Sequence, residues 1–198
     1  MSDRILPGCD LRLAYWAQRR RERHLGTPDL LPAPAKGILI HSGSTGTGTA
    51  QWAWRSEARF WAHFAWDSAR GLYVQTDYLD AWAPHGGALN QHAIGIETPH
   101  HPGAGDEHKQ ATIDLVSALA ERGAEWITGH RFGDHNKRDP GAVVTADWWD
   151  GLGLRCYWTW QGEGWGALLA DENVRPDFAA GQDALKVEAP DGSGSERA

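Results

Sequence analysis

The chain has 198 residues, 41% of them hydrophobic, and a formal net charge of −7. That length suits one domain with a real core plus some extra chain, and the acidic balance argues against a nucleic-acid binder, which usually carries a basic face. Two cysteines far apart, Cys9 and Cys156, make neither a disulfide framework nor a cysteine zinc knuckle.

The first residues, "MSDRILPGCD", lack a continuous apolar stretch, so no signal peptide is expected, and no apolar run is long enough to span a bilayer. The product is expected to start as a cytoplasmic protein. Residues 9–23 read as a helix with one apolar face. It continues into the basic run "RRRERH" (19–24), whose plain reading is a solvated helix face and whose sharper one is contact with an anionic polymer or lipid headgroups. "TPDLLPAPAKG" (27–37) is a Pro-rich connector.

"GILIH" (37–41) suits a buried strand and empties into the Gly/Ser/Thr loop "SGSTGTGTA". No GK[ST] follows, so that loop is not read as a nucleotide site. "QWAWRSEARFW" suggests a short helix. "AHFAWD" and "GLYVQTD" flank "SAR" and Gly71 and read as a β-hairpin. "WAPHGG" (82–87) is a loop, "HAIGIET" (92–98) a further strand, and residues 107–122 a helix with Ile113, Leu115, Val116 and Leu119 on its apolar side. "EWITG" is another strand, and "VTADWWDGLGL" suggests a last helix with Thr145 as its cap. Strands mixed with helices, one hairpin among them, imply a single α/β domain with a central mixed sheet flanked by helices. Its parts are drawn as an N-terminal extension and connector over 1–36, a catalytic region over 37–155 and a polar C-terminal extension over 156–198. The twelve tryptophans are read mostly as core and rim, although exposed rings also suit stacking on sugars.

Three chemically equipped segments fall at strand ends. His41 closes "GILIH", Glu97 ends "AIGIE", and His130 closes "WITGH", with His135, Lys137 and Asp139 following in the loop "RFGDHNKRDPG". Strand ends of an α/β sheet are where distant parts of a chain converge. Two histidines and one carboxylate make a catalytic zinc set with a position left open for water, and the ion lowers that water's pKa to roughly 7. Each residue taken singly has a plainer reading: a satisfied polar strand end, a solvated lysine, or an aspartate that starts the Asp-Pro turn.

"ILIHSG", "WAPHGGALNQHAIGIE" and "TGHRFGDHNKRDPG" together resemble the zinc-dependent N-acetylmuramoyl-L-alanine amidases of the type-2 class, which include peptidoglycan recognition proteins. The resemblance covers roughly residues 37–150 in collinear order. The family's N-x-x-S-I-G-I-E stands here as Asn90 to Glu97, with Ala93 in place of Ser. Its K-x-D-P-G stands as Lys137 to Gly141. The resemblance implies zinc held by His41, His130 and Asp139, with Glu97 as the base for the attacking water and Lys137 steadying the oxyanion. It puts His85 and Asn90 in the substrate groove. Ala62 precedes His63 where phage lysozyme-type members carry Tyr, and Asp139 stands where they carry Cys, so the chain looks closer to the recycling amidases. His135 is a rival ligand. His63 is either a support of the site or a buried structural histidine.

The function so implied is hydrolysis of the amide between the lactyl group of N-acetylmuramic acid and L-alanine, in peptidoglycan or muropeptides, by a monomer. Without a signal peptide, reaching the wall would take phage lysis or specialised export. The rival readings are a peptidoglycan-binding module that has lost catalysis and a zinc amidase acting on a non-wall amide.

Overall fold

β1 (Gly37–Ser42) is the strand around which the domain is built. Its first five residues are all buried, as expected of a central parallel strand covered on both faces. In the computed structural model, which describes residues 4–23, 35–42, 49–58, 60–99, 106–133, 139–140 and 144–158, β1 is flanked by β4 (Ala93–Thr98) and β5 (Trp126–Gly129), both parallel to it. β2 (Phe64–Asp67) lies outside β4 and parallel to it, and β6 (Arg155–Tyr157) lies outside β5. β3 (Leu72–Gln75) pairs antiparallel with β2 at the far edge. The result is a six-stranded mixed sheet in the order β3-β2-β4-β1-β5-β6 within a single α/β domain.

Paired residues of a parallel sheet share a face, so the register sorts the side chains. Ile38 pairs with Ile94 and Ile127, and Ile40 with Ile96. These isoleucines form one core with Leu115, Val116 and Leu119 of α3 (Asp106–Glu121), whose spacing sets them on one helix face. Leu39 turns the other way and packs with Leu89, Ala93 and Trp126. The Trp126 ring lies so close over Gly37 that a Cβ there would fall 2.1 Å from it.

The hairpin expected over residues 62–77 is present. Asp67 organises its turn: its carbonyl accepts from Gly71 N at 2.8 Å, and its carboxylate accepts from Ala69 N at 3.1 Å and from the Gln51 amide of α2 (Thr49–Ala53) at 2.6 Å. Gly71 takes φ +67°, the left-handed conformation that closes such a loop.

Two expected helices differ. Of residues 9–23 only Tyr15–Arg23 (α1) is helical. Residues 10–14 run extended along β3, where Asp10 O accepts from Gln75 N, Arg12 N donates to Gln75 O and Ala14 N to Thr76 O at 2.8–2.9 Å. The open edge of β3 offers these backbone groups partners, and the segment in turn blunts the edge. Leu6 packs into the main core, and the fully buried Gln75 side chain accepts from Leu6 N (2.9 Å) and donates to Arg4 O and Asp77 O (both 2.8 Å). Arg20 of α1 lies over the rings of Trp61 and Trp82 and donates to Trp82 O, so this member of the basic run fastens the helix to the domain. The expected last helix is a single 3-10 turn, Ala146–Trp149. Gly151 and Gly153 follow it with φ of +80° and +72°, which no right-handed helix can continue through. Thr145 precedes the turn and bonds the Asp147 side chain without capping a backbone N–H. The chain then adds β6, a strand that the sequence pattern does not predict.

Trp61, Trp66, Trp126, Trp148, Trp149 and Trp158 are buried, and among the described tryptophans Trp52 is the exposed one. Cys9 and Cys156 are free thiols, the first packed against the core and the second exposed on β6. No described helix is long and apolar enough to cross a membrane. The connector over 27–34 and the extension beyond 158 lie outside the described residues.

Because Gln75 satisfies one buried amide and two carbonyls, Gln75→Leu should leave more than one group without a partner. Each such loss costs about 1–3 kcal/mol. Urea unfolding should show a midpoint well below that of the parent; an unchanged midpoint would mean that the N-terminal segment is not held through Gln75.

Candidate metal centre

His41 is the fifth residue of β1, and His130 is the first residue after β5, opening the one-turn helix α4 (His130–Gly133). Because β1 and β5 run parallel, both histidines stand at the carboxyl edge of the sheet. Asp139 reaches the same point. Arg131 N donates to Asp139 O at 2.6 Å and ties that residue to α4. Pro140 lies against Gly129: a Cβ there would fall 2.6 Å from Pro140 Cδ and 3.0 Å from Phe132. The glycine of the "TGH" triplet is thus what lets Pro140 pack against the end of β5.

The three side chains converge. His41 Nδ1 lies 3.0 Å from His130 Nδ1 and 3.2 Å from Asp139 Oδ2, and His130 Nδ1 lies 3.1 Å from the same oxygen. Both histidines are buried and Asp139 is partly so. A triangle of this kind fits a small cation. Ligand atoms about 2.0–2.1 Å from a tetrahedral ion stand roughly 3.3 Å from one another. Three hydrogen bonds fit it less well, since two ring nitrogens and one carboxylate oxygen in mutual contact set like atoms against each other. Among the described residues, His41, His130 and Asp139 form the His/Cys/Asp/Glu group that can hold a metal ion. Burial alone would raise the Asp139 carboxyl, but its close contacts with the His130 and His41 rings hold it well below the usual carboxylate range. It is an anion, as a ligand must be.

Glu97 pairs with His41 in the β1–β4 register, so its side chain leaves the same face of the sheet at the same edge. It is half-buried and is not one of the three grouped residues. Lys137 and His135 lie outside the described residues.

His85 and Asn90 stand behind the centre. His85 Nδ1 lies 3.1 Å from His41 Nε2, on the side of that ring away from Asp139, and His85 Nε2 lies 3.1 Å from Ala93 O. Burial, and then the neighbouring His41 and His63 rings, push the His85 imidazole well below its ordinary pKa. Asn90 Oδ1 accepts from His85 N (2.8 Å) and Gly86 N (2.5 Å) and holds the loop. In the structure His85 meets the back of His41 directly, and Asn90 holds the backbone that carries His85. His63, fully buried, accepts at Nδ1 from Gly95 N (3.0 Å), donates from Nε2 to Ala81 O (2.8 Å), and packs edge-on against His85. It is a satisfied structural histidine that also backs the site.

Gly95 carries the sequence signal for this arrangement. A glycine inside a strand often marks close approach of another group, and a Cβ on Gly95 would fall 2.5 Å from His85 Nδ1. The bare strand is what leaves space for the imidazole behind His41.

The fold and site define an α/β protein with a candidate buried His-His-Asp metal centre. The sequence matches no protein-family model, and no curated protein is significantly similar to it.

Gly129→Ala should force Pro140 away from β5 and carry Asp139 with it. The affinity of the candidate site for a divalent ion, probed with added zinc by chelator competition, should fall about tenfold or more, in the range typical of losing an outer support of a metal ligand. Affinity equal to the parent's would show that Asp139 is held independently of the Gly129–Pro140 contact.

Proposed function

We propose that the protein is a zinc-dependent amidase that cleaves the amide joining the lactyl group of N-acetylmuramic acid to L-alanine, in peptidoglycan or in soluble muropeptides. The observation that carries this reading is the His41–His130–Asp139 triangle at the carboxyl edge of the sheet, with Glu97 in register beside it. The choice of zinc rests on the donor set of two imidazoles and one carboxylate. The choice of amide rests on the collinear resemblance of residues 37–150 to the type-2 amidases.

In this reading His41, His130 and Asp139 hold the ion. When bound, zinc lowers the pKa of water to roughly 7 and polarises a carbonyl. Glu97, anchored on β4, takes a proton from the attacking water as its oxygen bonds to the lactyl carbonyl carbon. The same carboxyl then delivers the proton to the alanine nitrogen as the C–N bond breaks, giving a free lactyl carboxylate and the amine of the stem peptide. The resemblance gives Lys137 the role of stabilising, with its ammonium, charge on the carbonyl oxygen that develops only in the transition state.

Intact sacculi and soluble anhydro-muropeptides, each incubated with zinc-loaded protein, should release stem peptides with free N-terminal alanine, read by mass spectrometry. Glu97→Ala should keep its zinc and lose roughly 10²–10⁴-fold in rate. Lys137→Ala should also keep zinc and lose about 10²–10³-fold, as when an oxyanion donor is removed. Zinc-loaded protein that binds these substrates without cleaving them would instead indicate a recognition module. Loss of zinc from Glu97→Ala would make that residue a ligand and require the roles to be redrawn.

A further inference from the structure

We infer that His85 is a positioning residue that fixes the tautomer of His41 through a chain of hydrogen bonds ending on the backbone carbonyl of Ala93. The inference rests on the reading of His41 as a metal ligand and adds a function for a residue placed in the substrate groove on sequence grounds.

The chain has one fixed end. A carbonyl oxygen can only accept, so the His85 nitrogen 3.1 Å from Ala93 O, Nε2, carries a proton. In the neutral ring the other nitrogen, Nδ1, is then bare and accepts. Its partner at 3.1 Å is His41 Nε2, which must donate. A neutral His41 with its proton on Nε2 has a lone pair on Nδ1. That is the atom lying 3.0 Å from His130 Nδ1 and 3.2 Å from Asp139 Oδ2. The proton arrangement therefore runs outward from the backbone of β4 and ends with a bare nitrogen facing the point where an ion fits. Metal-binding histidines are commonly oriented this way by a partner on the second nitrogen; here the partner is another imidazole whose own tautomer is set by the main chain.

The neighbours leave His85 little alternative. Asn90 fixes its backbone N–H, and Gly95 leaves the space its ring fills. His63 cannot substitute for it, because both nitrogens of His63 are committed to the backbone at Gly95 and Ala81. The His41 and His85 rings stand at 89° to one another with centroids 5.3 Å apart, so they meet edge to face rather than stacked.

The test reads the tautomer directly. Imidazole ¹⁵N spectra of the metal-free wild-type protein should show His41 protonated on Nε2 and bare on Nδ1; a His41 protonated on Nδ1 overturns the inference. His85→Leu removes the acceptor, whereas His85→Asn sets a carbonyl oxygen near the place of Nδ1. The leucine variant should mix the His41 tautomers and lose roughly 10–100-fold in zinc affinity, and the asparagine variant should recover most of both. A leucine variant with wild-type affinity and an unmixed His41 tautomer overturns the inference. The wild-type spectrum decides the tautomer even where the leucine variant does not fold. A wild-type protein that shows the expected tautomer yet binds no zinc would refute the proposed function while leaving the His85 assignment standing.

Discussion

In a parallel sheet, residues paired in register leave the same face, and neighbouring strands end at the same edge. Everything at the candidate centre depends on that constraint. The pairings His41↔Glu97 and Ile40↔Gly129 set His41, Glu97 and the residue that follows β5, His130, side by side although they are far apart in sequence. The isoleucines alternating with them bury the opposite face against α3. A slip of one residue in either register would turn the chemical side chains into that core and the isoleucines outward, so burial of the isoleucines also fixes the site.

Close packing supplies the next level of precision. Gly129 admits Pro140 and with it Asp139, and Gly95 admits the His85 ring. Each is a position in a central strand where any side chain would occupy space that a site residue or its support needs. The glycines of "TGH" and "AIGIE" are in this sense part of the centre, although neither contributes a ligand atom. Asn90, which satisfies two backbone N–H groups of the 85–86 loop, does for that loop what Asp67 does for the hairpin turn.

The elements with strong periodicity were legible in the sequence: the buried strand ending in His41, the strand ending in Glu97, the hairpin, and helix α3. The approach of His41 and His130 was legible too, because strand ends on one sheet edge are a recurring place for chemistry, whereas the choice of Asp139 as the third member came from the resemblance. What escaped was decided by contacts between distant segments. Residues 10–14 carry helix-like spacing, but the free edge of β3 takes their hydrogen bonds. β6 is three residues long, too short to show a period. The support given by His85 was hidden for the same reason: nothing local in "WAPHGG" says that its imidazole reaches the back of His41, and only Gly95, in another strand, hints at a ring lying over it.

The central claim is that His41, His130 and Asp139 bind one ion through two imidazole nitrogens and one carboxylate oxygen. X-ray absorption at the zinc edge of the loaded protein tests it most directly. The account predicts a four-coordinate shell of nitrogen and oxygen at about 2.0–2.1 Å, with outer scattering from two imidazoles. A shell containing sulfur at about 2.3 Å, or one without imidazole scattering, would contradict it.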